Sequence, residues 1–254
     1  MKKILITSDK YSFCLDGYQK LFNRHWKEED LEFTVLGFAQ PNATLQDNFI
    51  FQSFGSQYND ASPWVNALGE YFTNLKDDYF FLCFEDHYLI GDVDVKLLNH
   101  GASIMENDKS IGKVRLLPRY SYNVIASEYD ENFNAYDAKE NVVSATSLRP
   151  SIWRKSYFMR LLNNPTKIMN PSEFEDKNQA VFLGDTTMLM AKGTAPIYPD
   201  IDAFRHGGLN RPPLEGPGEI DMHEYKLFID QADVNVFIEN ALRHFDIERN
   251  NGKV

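Results

Sequence analysis

From Tyr79 the chain runs Tyr79-Phe80-Phe81-Leu82-Cys83-Phe84 without a polar residue, turns polar at Glu85-Asp86-His87, and becomes apolar again at Tyr88-Leu89-Ile90. An unbroken, aromatic-rich apolar run of this length predicts a strand buried on both faces. Upstream, residues 3–7 predict a first strand and residues 32–38 a second. Between them, residues 16–26 predict a helix, because Leu15, Tyr18, Leu21, Phe22 and Trp26 fall near helical spacing. A β-α-β opening predicts a parallel sheet with a right-handed crossover. Residues 48–54 read as a third strand and residues 62–75 as a helix, with Ser62 as N-cap and Pro63 in the first helical position. Val65, Leu68, Gly69, Phe72 and Leu75 form its apolar face.

Beyond the buried strand, Asp92 is expected to cap a helix whose apolar side includes Val93 and Leu97. Residues 111–116, 124–127 and 142–146 read as strands, and the polar, Asn/Asp-rich stretch 128–141 as a loop. Pro150 and Ser151 are expected to open a helix carrying Trp153, Tyr157, Leu161 and Leu162. Asn170 and Glu173 have capping-box spacing, with Pro171 as first helical residue. Residues 178–198 read as strand-turn-strand, 199–219 as a long Gly- and Pro-rich loop, and 232–245 as a closing helix. A loop that long in a compact domain is usually functional or mobile.

Composition narrows the classes of partner. The 254 residues suit an α/β domain with a substantial core, and 43% hydrophobic content excludes a mainly disordered chain. A net charge of −11 argues against a general nucleic-acid binder and against docking on anionic lipid. Cys14 and Cys83 both fall in apolar segments, which predicts free thiols and a cytoplasmic location. The apolar run at the N-terminus stops at Ile6, too short for a secretory signal. No segment reaches about 18 apolar residues, so no membrane span is expected.

In open α/β sheets, ligands bind just past the carboxyl ends of the strands. Glu85-Asp86 after the buried strand, and Thr7-Ser8-Asp9 after the first, stand at two such ends. Each also has a plain reading, as a solvated strand end and as a turn or helix N-terminus. The opening lacks both G-x-G-x-x-G and the P-loop pattern, which excludes a dinucleotide-type Rossmann site and a P-loop.

Three segments resemble glycosyltransferases of the GT-A type, specifically bacterial sugar transferases of capsule and surface-glycan loci. The first is the β-α-β opening leading to Phe84-Glu85-Asp86-His87-Tyr88-Leu89. The second, Ser147-Leu148-Arg149-Pro150-Ser151-Ile152-Trp153, is similar to an S-L-Q-P-A-I-W segment of that family. The third, Asn170-Pro171-Ser172-Glu173-Phe174-Glu175, resembles N-P-W-E-F-E.

The resemblance implies an α/β fold: a GT-A-like, Rossmann-type mixed and mostly parallel central sheet flanked by helices. It implies a single domain over residues 1–254, with a nucleotide-sugar-binding half to about residue 100 and an acceptor-binding half beyond. It implies a nucleotide-sugar donor, a UDP-sugar favoured, a glycan or other hydroxyl acceptor, and a divalent metal, Mn²⁺ or Mg²⁺, held by a D-x-D motif. Here the strand-end acids are adjacent, and Asp92-Val93-Asp94 has the letters of the motif but lies past the expected strand end.

The chemistry assigns expected roles. A diphosphate leaving group needs its charge neutralised, and a metal held by Asp86, with Glu85 second, would do this. Arg149, Arg205 or His206, beside Gly207-Gly208, could supply positive charge without a metal. Thr7, Ser8 and Asp9 are candidates for a ribose or base edge, and Trp153 for stacking on a sugar. Glu173 and Glu175 are candidates for the base that takes the acceptor's proton, although the capping box also accounts for Glu173. Two other readings remain. A sugar-nucleotide pyrophosphorylase would carry a Gly-rich loop after the first strand, and Thr7 to Ser12 contains no glycine. A non-catalytic nucleotide- or glycan-binding protein on the same fold fits the shifted acidic motif.

Overall fold

The structure is a computed structural model, and it describes residues 1–8, 12–41, 43–54, 64–89, 91–117, 126–163, 170–178, 186–193, 195–205 and 208–209. The opening is β1 (Lys2–Ile6), α1 (Leu15–His25), β2 (Phe33–Gly37), β3 (Phe49–Ser53) and α2 (Trp64–Asn74). The apolar run forms β4 (Tyr79–Phe84), and after a two-residue turn the chain continues as β5 (His87–Leu89). Then come α3 (Val95–Asn107), β6 (Ile111–Arg115), β7 (Ser127–Glu128), β8 (Phe133–Asp137), α4 (Val142–Thr146) and β9 (Ser151–Arg154). The described chain closes with α5 (Lys155–Leu162), α6 (Pro171–Asn178), β10 (Thr187–Ala191), β11 (Asp200–Asp202), β12 (Phe204–Arg205) and β13 (Gly208–Leu209).

Among the described residues, nine strands form one sheet in the order β3-β2-β1-β4-β9-β6-β10-β8-β7. The sheet is mixed and mostly parallel: only β8 and β9 run against the other seven strands. Helices cover both faces. Side chains alternate across a strand, so β4 feeds two cores at once. Phe81 and Cys83 pack with Tyr18, Phe22 and Trp26 of the α1 side. Phe80, Leu82 and Phe84 pack with Phe72 of α2 and Phe158 of α5. This is the physical content of the unbroken apolar run. On β6, Gly112 lets a helix come close to the sheet: a Cβ there would stand 2.3 Å from Thr186 Cγ2 and 3.0 Å from Tyr157 Cγ.

Several sequence expectations are corrected. Residues 128–141 are not a loop throughout. Asp130 accepts from the N–H groups of Asn132 and Phe133 at 2.7 and 2.8 Å and makes a tight turn. The chain then enters β8, whose Phe133 and Tyr136 are buried, and a 3-10 turn at Ala138–Asn141. Residues 142–146 form a helix, not a strand. Asn141 caps it by accepting from Ser144 N at 3.1 Å, and this local bond overrides the β-branched Val142-Val143 pair. Pro150 opens no helix: Ser151–Arg154 is a strand inserted between β4 and β6, and the helix starts at Lys155.

Asp94, not Asp92, caps α3, accepting from Leu97 N at 2.9 Å, while Asp92 pairs with His25. Of the strand-turn-strand expected over 178–198, β10 lies within the range and residues 179–185 lie outside the described residues, while β11 forms within the stretch read as a loop. Residues 62–63 and the closing helix at 232–245 lie outside the described residues. Asn170 does cap α6, accepting from Glu173 N at 2.9 Å, with Pro171 in first position. Cys14 and Cys83 are buried free thiols. No described helix is long and apolar enough to cross a membrane.

Lys113, in the middle of the sheet on β6, is 0% exposed. Its amine donates to Ser144 O at 3.0 Å and to Ser147 O, and it lies 4.0 Å from the Trp153 ring centroid. Burial, and then the nearby Arg115, push its pKa well below 10.5, against a smaller opposing pull from Glu175. The folded protein therefore binds fewer protons here than the unfolded chain, so this group makes stability rise with pH up to about 10.5, by at most about 1.4 kcal/mol per pH unit. Urea unfolding at pH 7, 8 and 9 should show wild type gaining on Lys113→Met as pH rises. A constant difference between the two would mean that Lys113 titrates alike in folded and unfolded chains.

Candidate functional site

β1 and β4 lie side by side and parallel, with Ile6 opposite Phe84, so both strands deliver their next residues to the same edge. Thr7 is buried there and its N–H still donates to Leu36 O of β2 at 2.8 Å. Ser8 follows, donating to Glu85 Oε1 through its backbone N–H at 2.9 Å and its hydroxyl at 3.1 Å. The two strand ends picked out in the sequence are thus tied to each other. Glu85 is buried, and burial together with the adjacent Asp86 raises its pKa, while the Ser8 bonds oppose the rise.

β5 leaves this edge and pairs antiparallel with β11, placing His87 opposite Asp202 and Leu89 opposite Asp200. Ala203 N donates to Asp86 O at 2.7 Å and fixes the turn between β4 and β5. On this ribbon His87 Nδ1 lies 2.6 Å from Asp200 Oδ2 and 3.3 Å from Asp202 Oδ1, and Nε2 lies 3.9 Å from Asp86 Oδ1. Burial would lower the imidazole pKa, but the carboxylates of Asp202, Asp86 and Asp200 together raise it to about 9. Burial also raises Asp86, with His87 pulling the other way. Arg149 reaches the same cluster from the turn between α4 and β9, with NH2 2.8 Å from Asp202 Oδ2 and NH1 4.0 Å from Asp200 Oδ2.

Ser8, Glu85, Asp86 and Arg149, singled out in the sequence from three separate stretches, therefore meet at one place. Glu175 borders it: it accepts from Leu148 N, and its charge acts on both Arg149 and Lys113. Glu173 is turned to a different task, an ion pair with Lys177 at 2.9 Å one helical turn away. Trp153 is fully buried in β9 and has no ring face to offer a sugar, so the stacking role is corrected to a core role. Arg205 lies in β12, and Asp9 and His206 lie outside the described residues.

His87, Asp200 and Asp202 were not assigned roles from the sequence. Their signal was present: Asp200-Ile201-Asp202 has the letters of D-x-D, and period-2 alternation puts both carboxylates on one side of an extended chain. Its setting among glycines and prolines read as loop.

The donor set fits a divalent cation. One potential ligand atom from each of His87, Asp200 and Asp202 lies within 4.8 Å of the others. Among the described residues, Asp200 Oδ1 and Asp86 Oδ1 are buried oxygens without a hydrogen-bond partner. A buried carboxylate oxygen left without a donor is costly, and a cation would satisfy it. Imidazole nitrogen and carboxylate oxygen together suit Mn²⁺, and carboxylate with water suits Mg²⁺. His87 would have to give up its proton to serve as ligand.

No family model matches the chain, and no curated protein matches it in sequence. Among solved structures it is similar to residues 1–349 of S. aureus TarS, at 12% identity, with TM-score 0.49, over 99% of this chain and 74% of that one. The same protein in complex with UDP-GlcNAc gives 11% identity and TM-score 0.48 over 99% and 75% of the two chains. A cytidylyltransferase from Leptospira borgpetersenii serovar Hardjo-bovis gives 12% identity and TM-score 0.46 over 99% and 95%. These are distant likenesses of shape, and no activity passes from them to this chain.

Proposed function

We propose that the protein is a nucleotide-sugar-dependent glycosyltransferase, moving a sugar from a donor, a UDP-sugar favoured, to a hydroxyl of a glycan or similar acceptor. The observation that carries this reading is the meeting of the β1 and β4 carboxyl ends beside the cluster of Asp86, His87, Asp200, Asp202 and Arg149. A strand-end crevice of this kind is where an open α/β sheet takes a nucleotide. The motif resemblances in residues 147–153 and 170–175 support the same class.

The charge arrangement supports a metal-assisted reaction. Four carboxylates, Glu85, Asp86, Asp200 and Asp202, face two potential cations, His87 and Arg149, among the described residues. A diphosphate entering this field is repelled unless positive charge comes with it. His87, Asp200 and Asp202, with Asp86 beside them, would hold a divalent cation, which when bound supplies the charge that stabilises the departing diphosphate. Thr7 and Ser8, at the end of β1, are the candidates to hold a ribose or base edge. Glu175 is the candidate base nearer the cluster, since its charge acts on Arg149 while Glu173 pairs with Lys177. A cytoplasmic setting and one domain over residues 1–254 belong to the same proposal, and the buried free thiols support the former.

The test is release of free nucleoside diphosphate from a panel of nucleotide sugars, with Mn²⁺, with Mg²⁺ and with EDTA. Slow, cation-dependent hydrolysis of one donor is expected. Donor binding without turnover under any acceptor or metal would leave a nucleotide-binding protein in place of a transferase. Neither binding nor turnover would sink the nucleotide-sugar reading altogether.

A further inference from the structure

We propose that Arg149 is the resident counterion of a cation site formed by His87, Asp200 and Asp202, and that a divalent cation entering the site displaces its guanidinium from Asp202. The inference rests on the cation reading of this cluster and not on glycosyl transfer itself.

The geometry puts the two ions in competition for the same carboxylates. Asp202 accepts from Arg149 NH2 at 2.8 Å through Oδ2, and Asp202 is one of three residues whose potential ligand atoms lie within 4.8 Å of one another. Arg149 NH1 also stands 4.0 Å from Asp200 Oδ2. Asp200 has a side chain with 0% exposure and a buried Oδ1 without a hydrogen-bond partner among the described residues, so its charge is incompletely met by His87 and Arg149. A buried carboxylate in that condition favours a further or stronger cation. At equal distance a divalent ion gains twice the attraction of a guanidinium from each carboxylate.

Arg149 is also built to leave without disturbing the fold. Its side chain is 40% exposed, so it covers the cluster from the solvent side. The turn that carries it is held independently: Lys113 donates to Ser147 O, and Glu175 accepts from Leu148 N. Release of the guanidinium therefore needs only side-chain rotation. The freed cation stays beside the metal, where an anionic ligand such as a diphosphate would meet it. Cation and anion would then bind in mutual support, with Arg149 covering the acids when neither is present.

The test needs no nucleotide, so its outcome is separate from that of the transferase reading. Mn²⁺ binding is measured by electron paramagnetic resonance of the free ion, for wild type, Arg149→Met and Arg149→Lys. Arg149→Met should bind Mn²⁺ at least about tenfold more tightly than wild type, equivalent to about 1.4 kcal/mol. Arg149→Lys, which keeps the charge, should stay near wild type. Equal or weaker Mn²⁺ binding by Arg149→Met would overturn the proposal, as would absence of Mn²⁺ binding by all three proteins.

Should Arg149→Met fail to fold, wild type alone decides. The guanidinium ¹⁵N signal of Arg149, assigned by its loss in Arg149→Lys, is followed during titration with Mg²⁺. A shift that saturates with the ion is expected. A signal unmoved by Mg²⁺ would show that Arg149 keeps its place and would also overturn the proposal.

Discussion

Asp86→Ala is expected to lower cation-dependent release of nucleoside diphosphate at least roughly a hundredfold, a loss of about 3 kcal/mol of transition-state stabilisation. The residue is well suited to such a test, because little of the fold depends on its side chain. Its backbone carbonyl, which accepts from Ala203 N at 2.7 Å, survives the substitution. Among the described residues its Oδ1 has no hydrogen-bond partner, and it stands 3.9 Å from His87 Nε2. Removing a carboxylate from a group of four also relieves repulsion, since Asp86 helps to raise the pKa of Glu85. The melting temperature should therefore hold or rise while turnover falls. Asp86→Asn separates charge from shape: a loss as deep as that of alanine assigns the effect to the carboxylate's charge. Near-wild-type turnover in both variants would remove Asp86 from the machinery. Glu85 is a poor substitute for this test, because its loss also strips two bonds from Ser8.

The parts of this molecule legible in the sequence are those in which one physical term dominates. The β-α-β opening and β4 were readable because burial on both faces leaves no room for polar residues. The α6 cap was readable because Asn170 and Pro171 act locally. The middle of the chain was misread where two local signals conflicted. Val142-Val143 carries strand propensity, but Asn141 caps a helix there. Ser151-Ile152-Trp153-Arg154 sits next to Pro150 and looks like a helix start, but the sheet needs a strand between β4 and β6. Only tertiary pairing settles that choice.

The site was half legible for a similar reason. Ser8, Glu85 and Asp86 follow buried strands, and a buried strand announces where its end must be. Asp200 and Asp202 belong to a three-residue strand that exists only because β5 pairs with it. Nothing within residues 199–205 marks that pairing. Without it, the carboxylates that meet His87 look like two acids in a loop. The D-x-D letters at Asp92 and Asp94 belong to residues with other tasks: the first pairs with His25 and the second caps a helix.

Trp153→Ala should destabilise the protein by about 3–5 kcal/mol, the usual cost of removing a large aromatic from a core. For a chain of this size that corresponds to a melting temperature lower by roughly 10 °C. The position explains the size of the effect. Trp153 is 0% exposed, on the strand that joins β4 to β6, with Phe80 opposite it on one side and Lys113 on the other. Its ring lies 5.1 Å from that of Phe158 and 6.0 Å from that of Tyr157. Its ring also lies over the buried Lys113 amine, with Nζ 4.0 Å from the ring centroid. Alanine would leave a cavity beside that amine. Trp153→Phe should cost less than half as much, because the indole N–H has no hydrogen-bond partner to lose and a ring still covers Lys113. The two variants also separate the core role from sugar stacking. A buried ring predicts lost stability with an unchanged KM for acceptor per folded molecule. A stacking platform predicts the reverse, an intact melting curve with a raised KM, and that result would require Trp153 to be reachable from the site.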